Sequence, residues 1–280
     1  MERKVGIIVD STFGLEPKYV KDHQIIVVPL KVLIDNKEYV DGQIDPEIVV
    51  QALTNKKQVK TSQPAPEMFV KAYEQQLKKF EDVICMTISK TLSGTFNSAN
   101  LAKTIAENDH IYVVDSETNI NGAGYIAEKM IEYLDQGHSV SEGLVHLEEL
   151  KEKGSLVFTV DNLQTLVQNG RLSRVQGFIG NILKIKPILR FSRGKLDVEA
   201  KVRSFENVIK YLVNEAQKLL IFGRVVIRIA YVDRSTQAKQ LEHELFQLGQ
   251  HIKIKITGVI SPVVSAHVGL GGLGIYLTNE

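Results

Sequence analysis

Cysteine is nearly absent from the sequence. Cys85 is its only cysteine, so no disulfide can form within the chain, and a lone thiol fits a reducing compartment. Cys85 lies inside an apolar, strand-like run, where a small core residue is favoured over a nucleophile. The sequence therefore predicts a protein that is held together by packing and hydrogen bonds.

An excess of charge of either sign is also lacking. Lys and Arg total 34 and Asp and Glu total 33, which gives a formal net charge of +1. A protein that binds nucleic acid through its phosphates normally carries a basic surface. We therefore expect no nucleic-acid partner.

Long apolar runs are missing as well. The apolar stretch before Asp10 is too short for a signal peptide, and Arg224 and Arg228 interrupt the most apolar later stretch. We therefore expect no membrane span and a cytoplasmic location.

The common cofactor and metal motifs are not found. The sequence contains no GKS or GKT phosphate loop, no HExxH and no paired cysteines. Glycines follow His267 in "HVGLGGLG", but a dinucleotide fingerprint needs a strand before the glycines and a full helix after them. We expect no metal and no cofactor, and we interpret this glycine segment as a loop that brings His267 and bare backbone close to a ligand.

The order of apolar patterns predicts an α/β fold in two domains. In the first half, the runs "VGIIVD", "VICMTIS" and "IYVVDS" predict buried strands, and amphipathic patterns such as "APEMFVKAYEQQLKKF" predict helices, so a mainly parallel sheet is expected. The second half predicts a hairpin with its turn at Ser192 to Lys195, then strands and helices in a mixed or antiparallel sheet. We place the domains at residues 1–155 and 156–280.

Aspartate and serine recur where the predicted strands end. Asp10, Ser11, Asp115 and Ser116 follow two of the apolar runs, and ligands of α/β proteins bind beyond the carboxyl ends of strands. The same residues also cap turns. Capping is the favoured interpretation, and a ligand-binding role stays open.

Two junctions and one histidine are candidates for binding an anion. Ser93 and Gly94 lie between a predicted strand and a helix, where unpaired backbone N–H groups and the helix dipole attract anions. Thr61 and Ser62 precede another helix, in a turn that two prolines stiffen. His267 could join them from the glycine-rich loop, although helix capping and a structural histidine explain the same residues.

The motifs "DSTFGL", "TSQPAPEMF", "ISKTLSGTFNSA", "DSETNINGAG", "NGRLSR" and "HVGLGGLG" span nearly the whole chain. In this combination and order the sequence resembles the DegV family and is similar to the fatty acid-binding subunit of bacterial fatty acid kinase. The resemblance implies two α/β domains with a long-chain fatty acid held between them. It also implies that Thr61, Ser62, Ser93, Gly94 and His267 bind the carboxylate.

Further expectations follow from the resemblance. The chain would not itself be an enzyme: a partner subunit similar to dihydroxyacetone kinases would phosphorylate the bound carboxylate, and the acyl phosphate would feed phospholipid synthesis. Arg171 and Arg203 are expected near the site where the kinase docks, and transient membrane contact would allow fatty acid exchange. Residues that either line the acyl tunnel or belong to ordinary core are Phe178, Ile179, Ile182, Leu183, Ile188 and Leu189.

Two other function classes fit parts of the same pattern. The helix start at Ser93 could bind a small phosphorylated metabolite. Ser93, Asp233 and His267 occur in the order of an α/β-hydrolase triad, but the G-x-S-x-G elbow is missing around Ser93. Retained lipid would separate the fatty acid carrier from the metabolite binder, and esterase turnover would reveal the hydrolase.

Overall fold

The computed structural model describes residues 3–172 and 185–280, which form three β-sheets and their flanking helices. The strands, numbered in chain order, are β1 (Val5–Asp10), β2 (Ile26–Val28), β3 (Lys31–Ile34), β4 (Lys37–Val40), β5 (Val59–Ser62), β6 (Asp82–Thr87), β7 (Ile111–Asp115), β8 (Ser155–Thr159), β9 (Lys186–Ser192), β10 (Lys195–Val202), β11 (Val225–Tyr231), β12 (Ile252–Val259) and β13 (Leu273–Asn279). The helices are α1 (Pro17–Asp22), α2 (Pro46–Thr54), α3 (Pro66–Leu77), α4 (Thr95–Ala106), α5 (Ile120–Asp135), α6 (Val140–Lys153), α7 (Gln164–Gln168), α8 (Phe205–Leu219), α9 (Ser235–Phe246) and α10 (Pro262–Val268).

The first sheet is parallel, as the alternation of strand and helix predicts. Its order is β2-β1-β6-β7, and every neighbouring pair runs in the same direction. The six residues of β1 are all buried, and so are five of the six in β6, because helices cover both faces of the sheet. The carboxyl ends of β1, β6 and β7 therefore meet at one edge.

A second, smaller sheet was not predicted from the sequence. It has the order β4-β3-β5 and is antiparallel, and its strands are only four residues long. The two-residue turn between β3 and β4 is Asp35-Asn36, and both residues have positive φ, as a tight hairpin turn requires. This sheet positions β5, which ends at Ser62.

The third sheet is mixed, which confirms the prediction for the second half. Its order is β10-β9-β8-β13-β11-β12; β11 and β12 are parallel, and the other neighbours are antiparallel. The predicted hairpin turn is present, with Arg193 and Gly194 at positive φ. One face of this sheet packs against α8 and α9 through an apolar cluster that includes Val157, Ile188 and Ile227.

The opposite face of the third sheet packs toward the first sheet. Phe191 and Tyr276 of the third sheet belong to the same buried cluster as Val9, Met86 and α5. A single apolar core therefore joins the two large sheets, and the predicted boundary near residue 155 stays a prediction.

Candidate functional site

A cavity of about 270 Å³ lies where β5, the start of α4, α7, the β9–β10 hairpin and α10 meet. This volume lies just below the range for ligand pockets, roughly 300–1,000 Å³. The polar lining residues are Thr61, Ser62, Gln63, Ser93, Gly94, Asn119, Arg171 and His267. The apolar lining residues are Leu30, Ile88, Leu92, Phe158, Leu166, Phe191, Leu196, Val263, Val264 and Val268.

The five residues predicted to bind an anion all line this cavity. Thr61 and Ser62 are the last residues of β5, Ser93 and Gly94 immediately precede α4, and His267 lies in the last turn of α10. They are up to 206 residues apart in the sequence, as in the pair formed by Thr61 and His267. The small sheet and α10, neither of which was predicted, bring these segments together.

Thr61 and His267 are joined directly. The Oγ1 of Thr61 lies 2.7 Å from the Nε2 of His267, and the other ring nitrogen, Nδ1, is buried without a hydrogen-bond partner in the described part of the chain. The register of β5 against β3 pairs Thr61 with Val32 and holds its backbone in the sheet. The hydrogen bond between Thr61 and His267 therefore fixes the orientation of the imidazole at the cavity wall.

The start of α4 provides backbone donors at the same cavity. Ser93 Oγ lies 2.9 Å from Thr95 Oγ1 and accepts from the N–H of Thr95 at 3.3 Å, although Gly94, and not Ser93, is the N-cap residue of α4. The first N–H groups of a helix have no acceptor within the helix. Gly94 allows close packing there, because a Cβ at this position would overlap the side-chain oxygen of Gln63.

His267 is neutral near pH 7. Burial, and to a lesser degree the nearby positive charge of Arg171, lower the pKa of His267 to about 4. Its imidazole therefore acts at neutral pH as a hydrogen-bonding group and not as a cation.

Arg171 is the only charged side chain among the described lining residues. Its Nε donates to the backbone oxygen of Leu92 at 3.0 Å, and its Nη1 donates to that of Asn169 at 2.6 Å. No carboxylate of the described residues pairs with it, and burial lowers its pKa, although the guanidinium stays charged. Arg171 is thus held by two carbonyl groups with its positive charge not neutralised by a partner.

The two arginines expected near a kinase docking site lie in different places. The side chain of Arg171 is half-buried in the cavity wall because it reaches back to the loop before α4. Arg203 is exposed just after β10 and does not line the cavity. The structure therefore brings Arg171, but not Arg203, to the five residues predicted to bind an anion.

The apolar wall differs from the predicted one. Ile188 does not line this cavity and belongs to the core against α8, the second of the two roles expected for it, because side chains alternate along β9 and Ile188 falls on the far face. Leu189 is on the near face but is fully buried among Val160, Leu166 and Leu172. Phe178, Ile179, Ile182 and Leu183 lie outside the described residues.

Several lining residues were not identified from the sequence. Phe158, Phe191 and Leu196 come from three adjacent strands, and the register pairs Phe191 directly with Leu196. Alternation in the hairpin strands would have shown which residues share a face, but not which face meets a cavity. Leu166 comes from the short helix α7, which no clear sequence pattern marks.

The strand-end aspartates stabilise loops and do not line the cavity. Asp10 accepts from the N–H and the hydroxyl of Thr12 and from the N–H of Ile88, and Asp115 accepts from the N–H groups of Lys90 and Glu117. Ser11 donates to Asp41, and Ser116 donates to the backbone oxygen of Thr118. The capping interpretation is the one the geometry supports.

The hydrolase triad is not assembled. Asp233 accepts from Gly271 N–H and pairs with Arg234, whereas His267 contacts Thr61 and Ser93 contacts Thr95. No carboxylate orients the imidazole as the third member of a triad would, since His267 Nδ1 has no partner among the described residues. The site therefore lacks the nucleophile–base–orienter geometry of such enzymes.

Two kinds of feature are absent from residues 3–172 and 185–280. These residues contain no group of three or more His, Cys, Asp or Glu side chains that could hold a metal ion. None of the helices in these two segments has the length and apolar composition to cross a bilayer.

A comparison with protein families agrees with the resemblance of the motifs. The model described as "Uncharacterised protein, DegV family" matches residues 4–280. The chain belongs to the DegV family. A DegV domain-containing protein from Staphylococcus aureus is 34% identical over 284 residues, which cover 98% of both chains.

Solved structures of similar proteins show the same fold. A DegV family protein from Thermus thermophilus, described by its fatty acid binding, superposes with a TM-score of 0.91 at 26% identity and covers 99% of this chain and 100% of its own. A stearic acid-binding protein from Eubacterium ventriosum superposes with a TM-score of 0.87 at 25% identity and covers 98% of each chain. The α/β arrangement, with its parallel sheet, its mixed sheet and their flanking helices, is thus that of DegV proteins.

Proposed function

We propose that this protein binds one long-chain fatty acid, with the carboxylate at Thr61, Ser62, Ser93, Gly94 and His267. The observation that carries the proposal is the composition of the cavity, in which hydroxyls, a helix start and a neutral imidazole adjoin an apolar wall. Two structural neighbours, the proteins from T. thermophilus and E. ventriosum, bind fatty acids. A fatty acid has the same division into a charged head and an apolar chain.

The energetics of the site favour such a ligand. Burying an unpaired carboxylate is costly, so the head group needs donors, and hydrogen bonds to a charged group contribute about 1.5–3 kcal/mol each. Each buried CH₂ group contributes about 0.8 kcal/mol. Arg171 supplies a positive charge in the wall, which offsets the charge of the carboxylate.

The finer proposal concerns what happens to the bound acid. The protein presents the carboxylate to a partner kinase subunit that is similar to dihydroxyacetone kinases, and the partner transfers a phosphoryl group from ATP to give an acyl phosphate for phospholipid synthesis. The protein itself supplies no catalytic group. It works in the cytoplasm, with transient membrane contact for fatty acid exchange and with Arg203 at the kinase docking surface.

The first experiment identifies the ligand. Protein purified from a bacterial host is denatured, extracted with solvent and analysed by mass spectrometry, and we expect one long-chain fatty acid per chain. Delipidated protein should bind added palmitic or stearic acid. Protein that carries no lipid and fails to bind these acids would overturn the proposal.

The head-group assignment is tested with Ser93→Ala and His267→Ala. Each substitution removes a hydrogen-bonding group at the carboxylate, so we expect affinity to fall by about 10- to 100-fold, corresponding to about 1.5–3 kcal/mol. Thermal unfolding of the same samples controls for loss of fold. Normal binding by both variants would exclude these residues from the head-group site.

The kinase role needs a separate assay. Loaded protein, ATP and the candidate kinase subunit should yield acyl phosphate, and each component alone should not. Arg203→Ala should slow this reaction while fatty acid affinity stays at the wild-type value, since Arg203 does not line the cavity. Wild-type rates for Arg203→Ala would remove it from the docking surface.

A further inference from the structure

Phe191 separates the main cavity from a second, much smaller one. Phe191 is a lining residue of both, and it is only 2% exposed. The second cavity has a volume of about 10 Å³, which is close to the space one water molecule needs. The aromatic ring is therefore a partition between the two spaces.

The second cavity is polar, in contrast to the wall on the other side of the ring. Tyr276 and Thr118 line it, and the hydroxyls of both are buried without a hydrogen-bond partner in the described part of the chain. The ammonium group of Lys151, which also lines it, pairs with Glu148 at 2.7 Å. A space lined by these groups can hold a water molecule, whereas the methyl end of a fatty acid would leave the polar groups unpaired there.

Phe191 is held firmly in this place. It pairs with Leu156 on one side and with Leu196 on the other, in the middle of a sheet. The adjoining hairpin turn is fixed to the first half of the chain: Gly194 N–H donates to the backbone oxygen of Glu117 at 2.9 Å, and Thr91 Oγ1 donates to that of Gly194 at 2.7 Å. These contacts fix the backbone that carries the ring, and the ring itself is packed in the buried cluster that includes Met86 and Tyr276.

We propose that Phe191 is the end stop of the acyl-chain site and thereby sets the maximum length of the chain that the protein binds well. The inference rests on the proposed fatty acid binding and names the residue that determines its chain-length preference. A chain that grows toward Phe191 gains apolar burial with each carbon until its methyl end meets the ring. Further carbons must then bend or stay outside, and the gain stops.

The test measures dissociation constants of delipidated protein for the saturated series of lauric, myristic, palmitic, stearic and arachidic acid. In the wild type, affinity should rise by about fourfold per CH₂ and then level off or fall at one member of the series. We call the acid at which affinity stops rising the length limit. Phe191→Ala should move the length limit to a longer acid, and Phe191→Leu should move it by a smaller amount. The leucine variant keeps most of the core volume and serves if the alanine variant does not fold.

Ile188→Ala is the matched control. It also shortens a fully buried side chain of β9, but on the opposite face, against α8. The length limit of Ile188→Ala should be the same acid as in the wild type. Phe191 is not the end stop if both Phe191 variants have the same length limit as the wild type. The same conclusion follows if Ile188→Ala shifts the length limit as far as the Phe191 variants do. If the wild type binds none of the acids, the proposed function itself fails, which is a distinguishable result.

Discussion

His267 is close to a positive charge and is itself neutral at pH 7. Burial in the cavity wall and the guanidinium of Arg171 both disfavour the imidazolium and lower the pKa of His267 to about 4. Because the neutral ring has one donor and one acceptor nitrogen, its bond with Thr61 decides which nitrogen can serve the ligand. In the proposed head-group site, His267 therefore contributes a directional hydrogen bond, and Arg171 contributes positive charge.

The low pKa of His267 predicts an acid-sensitive contribution to stability. In the unfolded chain the imidazole takes up a proton below about pH 6.5, whereas the folded protein does so only below about pH 4. The unfolded state binds more protons between these values, so this contribution falls as the pH is lowered through them. Relative to His267→Gln, ligand-free wild type should lose about 3 kcal/mol of unfolding free energy between pH 7 and pH 4.

The difference between the two proteins is the diagnostic quantity. Burial raises the pKa of Asp10 to about 6, so Asp10 stabilises the fold increasingly as the pH falls through the same window and masks part of the effect. The free energy of unfolding is measured with urea for wild type and His267→Gln at several pH values. The contribution of Asp10 cancels in the difference, because both proteins contain it. A difference that does not change with pH would show that His267 is not buried as described.

Cys85 should be inert in the folded protein. It is fully buried in β6, and burial raises the pKa of its thiol to about 12. Because the thiolate is the reactive form, a thiol reagent should label the protein only after denaturation. Rapid labelling of the native protein at neutral pH would contradict this, with urea-unfolded protein as the positive control.

Arg171 should matter for binding of the acid itself and not only for the kinase. Arg171→Ala removes the one charged group of the described lining residues, so we expect weaker fatty acid binding and a higher pKa of His267. Arg171→Lys should recover binding only partly, since an ammonium lacks the planar fork that contacts Leu92 and Asn169. Calorimetry and an NMR titration of His267 measure the two effects.

Arg203→Ala is the control for Arg171, because it removes the same charge at an exposed position outside the cavity. It should leave both affinity and the pKa of His267 at wild-type values. Unchanged affinity for Arg171→Ala would return Arg171 to a role in docking alone.

At the scale of elements, the position of His267 depends on how the short helix α10 is fastened. Asp41 accepts from Ser11 Oγ at 2.6 Å, from Ser261 Oγ at 3.0 Å and from the N–H of Val263 at 3.3 Å. It is 2% exposed and thus joins the loop after β1, the small sheet and the start of α10 from inside the protein. Burial raises the pKa of Asp41, while these donors lower it.

Asp41 does not line the cavity, but it holds α10, which carries His267. Asp41→Ala should therefore weaken binding of the proposed fatty acid indirectly. We expect a loss of about 2–3 kcal/mol in unfolding free energy, because the hydrogen bonds to a charged acceptor disappear and the buried N–H of Val263 loses its partner. Asp45→Ala, which removes the exposed cap of α2, is the control and should cost about 1 kcal/mol with unchanged affinity. Equal affinity of Asp41→Ala and wild type would show that α10 needs no such tether.

The elements that the sequence predicted are those with a strong pattern. The apolar runs of β1, β6 and β7 and the hairpin at Ser192 to Lys195 are present, because burial on both faces or a tight turn leaves a clear signal. The small sheet was missed because its strands are four residues long and partly exposed. Head-group residues were predicted from local chemistry, whereas Phe158 and Phe191 depend on strand register, which one sequence does not show.

At the scale of the whole molecule, the two large sheets share one core. The cluster contains Val9 and Met86 from the first sheet, Ile126 from α5, and Phe191 and Tyr276 from the third sheet. Polar contacts cross the same junction: Asn121 donates to the backbone oxygen of Arg228, and Arg228 pairs with Glu128. A boundary near residue 155 would divide this core, so the two halves depend on each other for burial.

The shared core predicts that both halves unfold in one transition. Exposing either sheet alone would uncover the apolar faces of Phe191, Tyr276 and Met86, so a state with only one half folded is costly. Hydrogen exchange with mass spectrometry at increasing urea should give the same midpoint for peptides that contain β6 and peptides that contain β11. A saturating fatty acid should raise both midpoints together, because a ligand that binds only the folded state stabilises the whole cooperative unit. Two separate midpoints, with the ligand shifting only one, would mean that residues 1–155 and 156–280 fold independently and that the ligand belongs to one of them.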